Sequence, residues 1–349
     1  MKADFTRNLL KWNATQNSRS MPWKGERDPY KVWLSEIILQ QTQVSQGRGY
    51  YEKFISAYPN IVALANASDD DIYKLWEGLG YYTRCKNLIA TARIVAYTNN
   101  GIFPCSYEEI LNLKGIGPYT AAAISSFAFN EKRAVVDGNV QRVMSRYFGI
   151  STPVDTPEGK KLFADLSQSL LDVDSPAKYN QALMDFGATI CKPRNPVCKE
   201  CVQNKDCEAF KGGFTNELPV KIKLTKKTTR WLYYFMIENN DCVYIRKRQG
   251  KDIWQNLHEF VLFESGDEQS QAVKLFLDKL LQHQTYTIVH SSEIQTQQLT
   301  HQRIMGRFFK IRLNNSSPVL DNYSLVSKSN LHAYAFPRFI NSFLEKNLH

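Results

Sequence analysis

From Phe5 to about Phe210 apolar residues recur at helical spacing, punctuated by Gly, Pro and Asp. The pattern predicts helices over 61–64, 71–77, 84–99, 107–113, 119–129, 140–148 and 160–171, joined by short connections as in a compact all-α domain. The stretch Asp28-Pro29-Tyr30-Lys31-Val32-Trp33-Leu34-Ser35-Glu36-Ile37-Ile38-Leu39-Gln40-Gln41-Thr42-Gln43-Val44 differs from the others. Asp as cap and Pro at the first helical position start a helix well, since the missing Pro amide has no intrahelical partner to lose. Trp33, Leu34, Ile37, Ile38 and Leu39 leave it almost no polar face, so it should be buried nearly all round. Glu36 stands in its middle. A buried carboxylate finds a partner, stays protonated or does chemistry.

After Phe210 comes a Gly- and Lys-rich connector, Lys211 to Lys227, and then the period changes to strands. These are expected over 231–237, 243–246, 260–263, 286–290 and 308–313, with a helix from about Gln269 to Gln282. The organisation read from the chain is an all-α domain over 1–214, a linker over 215–229 and an α+β domain over 230–349.

At 349 residues the chain is long enough for two cores. It is 43% hydrophobic and 22% charged, and it holds no apolar run near the 18 or so residues of a membrane span. Its N-terminus has no signal-peptide core, so a cytoplasmic location is expected. A net charge of +10 favours a polyanionic partner, nucleic acid first. Cys191, Cys198, Cys201 and Cys207 have the spacing C-x6-C-x2-C-x5-C, which can hold zinc or a 4Fe-4S cluster. Lys192, Arg194, Lys199 and Lys205 lie among them.

Three further motifs carry chemistry. Gly115-Ile116-Gly117-Pro118-Tyr119 ends one helix and starts another through a hairpin whose Ile plugs the core. Its glycines let backbone amides approach a phosphate, where the helix dipole also favours negative charge. Asp137, before Gly138-Asn139-Val140, is an ordinary helix cap taken alone and a second carboxylate for Glu36 taken with the hairpin. Gly78-Leu79-Gly80-Tyr81-Tyr82-Thr83-Arg84 mixes stacking rings with phosphate-binding groups.

Together and in this order, these residues resemble the helix-hairpin-helix DNA glycosylase superfamily with a 4Fe-4S cluster, and within it the adenine DNA glycosylases, along the whole chain. The resemblance implies base excision repair of double-stranded DNA: adenine opposite 8-oxoguanine or G is flipped out and its N-glycosidic bond hydrolysed. Glu36, with a pKa raised by its apolar neighbours, would be the general acid and base. Asp137, in a more polar turn, would stay ionised and stabilise or trap the oxocarbenium ion. Tyr119 and Asn139 would support these carboxylates. Trp23 and Gln181 would line the adenine pocket, Gln41 and Tyr81 would fill and wedge the stack, and Gly115 and Gly117 would grip phosphate. The four cysteines would hold the cluster.

The endonuclease III branch has a Lys where Tyr119 stands, and Tyr cannot form its Schiff base, so hydrolysis without efficient strand cleavage is expected. The C-terminal half resembles the Nudix-like domain of the same family. It lacks the Glu-rich metal-binding helix, since Asp278 is the sole acid between Ala272 and Gln282, and so is expected to recognise 8-oxoguanine without catalysis. Where the family has Phe-Ser-His at a hairpin tip, this chain has Leu299-Thr300-His301, which keeps the hydroxyl and the ring donor and loses the aromatic. A monomer is expected, associated with the nucleoid in a bacterium. The alternatives are a pyrimidine or T/G mismatch glycosylase of the same fold and a non-catalytic iron-sulfur DNA-binding protein.

Overall fold

A computed structural model of the chain describes residues 2–222, 227–268, 270–282, 284–314, 320 and 322–347. It forms two compact units, one of Met1–Asn66 with Lys86–Lys223, the other of Ala67–Cys85 with Leu224–His349. Residues 223–226 of the expected linker and Gln269 of the expected helix lie outside the described residues. Among the described residues no helix is long and apolar enough to cross a membrane.

In chain order the helices are α1 (Lys2–Thr15), α2 (Pro29–Leu39), α3 (Val44–Ala57), α4 (Ile61–Asn66), α5 (Asp69–Trp76), α6 (Tyr82–Arg93), α7 (Tyr107–Leu111), α8 (Pro118–Phe129), α9 (Gly138–Phe148), α10 (Pro157–Leu170), α11 (Pro176–Thr189) and α12 (Glu208–Lys211). Asp28 caps α2 by accepting from the Tyr30 amide at 2.9 Å, and Val32 to Ile38 are buried without a break. The helix stops at Leu39, before the glutamines. Gln40 leaves the helical conformation, with φ −55° and ψ 112°, and gives its side-chain amide to Thr120 Oγ1 at 3.1 Å, and Gln41 takes a left-handed conformation with φ 56°. The helix expected over 84–99 likewise ends early, passing at Ile94–Thr98 into one π-helical turn. One core joins Phe5, Leu9 and Trp12 of α1 to Val140 and Met144 of α9, Phe163 of α10 and Phe186 of α11. α9 and α11 approach closely at Gly187, where a Cβ would stand 2.7 Å from that of Asn139.

The second unit is built on a mixed sheet. Its strands are β1 (Thr228–Asn239), β2 (Cys242–Lys247), β3 (His258–Glu259), β4 (Val261–Ser265), β5 (Tyr286–Ser291), β6 (Gln295–Gln298), β7 (Gln302–Leu313) and β8 (Ser324–Ser327). β1 and β7 run parallel from Thr228↔Gln302 to Glu238↔Arg312, and the other pairings are antiparallel. β1 is buried on both faces because a helix covers each. Trp231, Tyr233, Phe235 and Ile237 pack with Val273, Leu277 and Leu281 of α13 (Ser270–Leu281). Tyr234, from the opposite face, meets Phe308 and Phe339, the latter on α14 (Arg338–Asn347). Residues Ala67–Cys85, far away in sequence, belong to this unit. The Lys74 ammonium donates to the Tyr334 carbonyl at 3.0 Å, the Phe336 amide to Glu77 at 2.7 Å and the Asn256 amide to the Tyr73 hydroxyl at 2.7 Å.

Candidate active site

α2 and α8 pack together because α8 is lined by Ala121, Ala122, Ala123, Ser125 and Ser126, whose short side chains are buried. This brings Tyr119, in the first turn of α8, against Glu36 in the middle of α2. The tyrosine hydroxyl donates to Glu36 Oε2 at 2.9 Å. Among the described residues Oε1 takes no hydrogen bond. Both groups line a cavity of about 380 Å³, within the usual range of a small-molecule site, together with Trp23, Asp137, Asn139 and Gln181.

Burial pushes the Glu36 carboxyl up to about 7; the charge of Asp137 adds to this and the Tyr119 hydrogen bond opposes it. Tyr119 is itself held well above its ordinary range, first by burial and then by Glu36, so it is a neutral donor. Asp137 caps α9 by accepting from the Val140 amide at 2.7 Å, and its other oxygen accepts from the Asn139 amide at 2.6 Å. The turn around it is less polar than the sequence suggested. Burial raises its pKa, and the Val140 and Asn139 donors pull it back. The two carboxylates thus share one cavity but differ in their hydrogen bonds: one neutral hydroxyl on Glu36, a cap amide and a side-chain amide on Asp137.

Trp23 is buried and meets Tyr51 edge-on at 5.3 Å between ring centroids. Gln181 donates to Asp185 Oδ1 at 3.0 Å. Gln41 does not line the cavity and is exposed at the turn after α2. In the α7–α8 hairpin Ile116 is buried, as its role as a plug requires. Gly115 has φ +74°, and a Cβ there would stand 2.6 Å from that of Asn87. Gly117 caps α8 with open space where a Cβ would be.

Thr300 and His301 are exposed at the tip between β6 and β7, and Leu299, half-buried, closes the turn through its amide to Gln302 O at 2.8 Å. Tyr81, exposed and left-handed at φ 49°, lies in the same unit, with its hydroxyl on that of Thr300. In α13, Asp278 is engaged by the Tyr286 hydroxyl at 2.6 Å.

Cys191, Cys198, Cys201 and Cys207 line one small cavity with Arg146 and Val197. The Arg146 guanidinium donates to Cys191 Sγ at 3.5 Å and the Gln203 amide to Cys201 Sγ at 3.4 Å, donors suited to thiolates. Among the described residues no three His, Cys, Asp or Glu side chains converge on a single metal ion. Burial pushes the Cys198, Cys201 and Cys207 thiols up, and Cys207 Sγ donates to the Arg146 carbonyl at 3.4 Å, so the four sulfurs share one space here as thiols.

Sequence reasoning missed two supporting residues. Arg142 on α9 donates to Asn139 Oδ1 at 2.9 Å, to Gly187 O at 2.7 Å and to Cys191 O at 2.8 Å, so it ties the Asp137 turn to the start of the cysteine loop. Asp185 is fully buried and pairs with Arg19 and Lys24, each at 2.8 Å. A signal was present for the second, because an acid four residues after Gln181 on a largely apolar helix shares its face.

The HhH-GPD superfamily base excision DNA repair protein family matches residues 34–168, and the NUDIX domain family matches residues 233–346. Among solved structures, a thermostable thymine-DNA glycosylase is similar at TM-score 0.56 and 32% identity, over 60% of this chain and 97% of that one. An endonuclease III in a non-covalent DNA complex shares the fold at TM-score 0.53 and 18% identity, over 61% of this chain and 98% of that one. The adenine DNA glycosylase of Homo sapiens is 40% identical over 215 residues, 59% of this chain and 39% of that protein. The adenine DNA glycosylase of Buchnera aphidicola subsp. Baizongia pistaciae is 40% identical over 263 residues, 74% of each protein. With a helical glycosylase segment followed by a Nudix-like one, and this identity over most of its length, the chain belongs to the adenine DNA glycosylase family.

Proposed function

We propose that this chain is a monofunctional glycosylase that extrudes adenine from opposite 8-oxoguanine or G in duplex DNA and hydrolyses its glycosidic bond. The observation that carries the reading is Glu36: a buried carboxyl with a pKa of about 7, one oxygen held by Tyr119, in the lining of a cavity of about 380 Å³. Near neutrality it is part protonated, so it can give a proton to the N7 nitrogen of adenine as the C–N bond breaks and then take one from the attacking water. Asp137, kept in place by Asn139 and the Val140 amide, stabilises or traps the sugar cation. Trp23 and Gln181 receive the base, Gln41 and Tyr81 fill and wedge the stack, and Gly115 and Gly117 offer amides to phosphate. Thr300 and His301 contact the 8-oxoguanine left behind.

Cys191, Cys198, Cys201 and Cys207 would hold a 4Fe-4S cluster, which when bound cross-links the loop that presents Lys192, Arg194, Lys199 and Lys205 to the DNA backbone. The protein acts as a cytoplasmic monomer, with separate regions for the 1–214 and 230–349 tasks.

The test is incubation with duplexes carrying A opposite 8-oxoguanine, A opposite G and T opposite G, followed by alkali. Release of adenine from the first two is expected, with no strand break before alkali. Release of thymine alone would install the competing reading that similarity to the thymine-DNA glycosylase favours.

A further inference from the structure

Asp185 is buried without exposure and is not in contact with the catalytic carboxylates. Its two oxygens accept four hydrogen bonds: Arg19 Nη1 at 2.8 Å and Gln181 Nε2 at 3.0 Å on Oδ1, Lys24 Nζ at 2.8 Å and Asn17 Nδ2 at 2.9 Å on Oδ2. Three of these donors come from the loop that carries Met21 and Trp23, and the fourth is the Gln181 amide, from the preceding turn of α11. Gln181 lines the cavity and Asp185 does not, so the amide bridges the carboxylate and the empty space.

A carboxylate ion accepts and cannot donate. The end of the Gln181 amide that faces Asp185 must therefore be its NH₂, and the end left for the cavity is the carbonyl Oε1. Both oxygens are already engaged as acceptors, Oδ1 by Arg19 and Oδ2 by Lys24.

We infer that Asp185 is the positioning residue for base discrimination: it locks Gln181 with its acceptor toward the pocket and so selects a 6-aminopurine over a 6-oxopurine. Adenine carries a donor at its exocyclic nitrogen, which the fixed Oε1 accepts. Hypoxanthine, of almost the same shape, carries an acceptor there and sets two oxygens against each other. The same carboxylate closes the Trp23 loop over the base, so one buried charge governs both the fit and the polarity of the pocket. The inference rests on the adenine glycosylase reading.

The experiment measures single-turnover release from duplexes holding adenine or hypoxanthine opposite 8-oxoguanine, with saturating protein. Asp185→Asn gives Gln181 a neighbour that can donate or accept, so the amide is free to turn. The adenine-to-hypoxanthine rate ratio should fall about tenfold or more, by the cost of an unpaired or mispaired buried group. Asp185→Glu, still acceptor-only, should keep the ratio near that of the wild type. Arg19→Met should slow both bases and keep the ratio, since it loosens the loop and leaves the Gln181 bond.

An Asp185→Asn protein that slows both bases equally, with its ratio within about twofold of wild type, would overturn the inference and reduce Asp185 to a structural clasp. If that variant does not fold, Gln181→Met decides: it leaves the clasp and removes the acceptor, and an unchanged ratio sinks the idea. Wild-type protein that releases no adenine overturns the proposed function and this inference together; wild-type release with a Gln181-independent ratio overturns the inference alone.

Discussion

At the scale of single residues, Glu36 makes two opposite demands. Its burial supplies a proton near neutral pH and makes its ionised form unfavourable in the folded state. Glu36→Gln should lower single-turnover adenine release by about 1,000-fold, the range of a lost general acid and base. In the wild type, kcat/KM should fall as pH rises through about 7, because the protonated form is the one that begins the reaction.

The same shift governs stability. The folded-state pKa lies above the ordinary 4.5, so between 4.5 and about 7 the folded protein binds the extra proton and stability falls as pH rises. Removing the charge should then stabilise the protein most above pH 7, by up to about 3 kcal/mol, and little below pH 4.5. Denaturant melts of wild type and Glu36→Gln at pH 5 and pH 8 check this; a gain at pH 5 as large as that at pH 8 would refute the buried-charge account.

At the scale of elements, the site depends on how closely helices approach. Gly187→Ala puts a Cβ against Asn139, with neighbouring backbone atoms at 3.1 and 3.2 Å, so α9 must move and Asp137 at its start moves with it. The expected cost is about 1–3 kcal/mol of stability, as for other overpacking substitutions, with a larger proportional loss of activity than of DNA binding. A melting curve alongside binding and turnover assays separates the two.

The sequence made much of this level readable. Asp28-Pro29 and Gly117-Pro118 announce their helices through local backbone chemistry, and the unbroken apolar run around Glu36 announces its burial. What it hid were relations that need the third dimension. The end of α2 at Leu39 is decided partly by Thr120 on another helix, and β6 is a strand made of Gln-Thr-Gln-Gln because it pairs with β7, against its own composition. Arg142 looked like one basic residue among many until its acceptors on Gly138, Asn139, Gly187 and Cys191 were in place.

At the scale of the whole molecule, the +10 charge implies binding that weakens with salt. Lys199 and Lys205 are exposed on the cysteine loop. Replacing both with Gln should lower the slope of log K against log salt by about 2, while release at saturating protein stays unchanged. A slope that does not move would remove the loop from the phosphate contacts. Composition and cysteine spacing could suggest a basic loop of this kind. They could not suggest that Ala67–Cys85 would group with the C-terminal half, since that grouping is made by bonds such as Lys74 to Tyr334 across a great length of chain.

The parallel pairing of β1 with β7 bears on how the chain is made. β1 leaves the ribosome with a wholly apolar middle, Trp231 to Ile237, and its central neighbour does not exist until residues 302–313 have followed it. Pairings so distant in sequence form slowly, whereas the α7–α8 hairpin can close as soon as it is synthesised. Until β7 arrives, Trp231 to Ile237 is an uncovered edge competent to pair with other chains, so synthesis that halts before Gln302 should produce protein that aggregates through its second half.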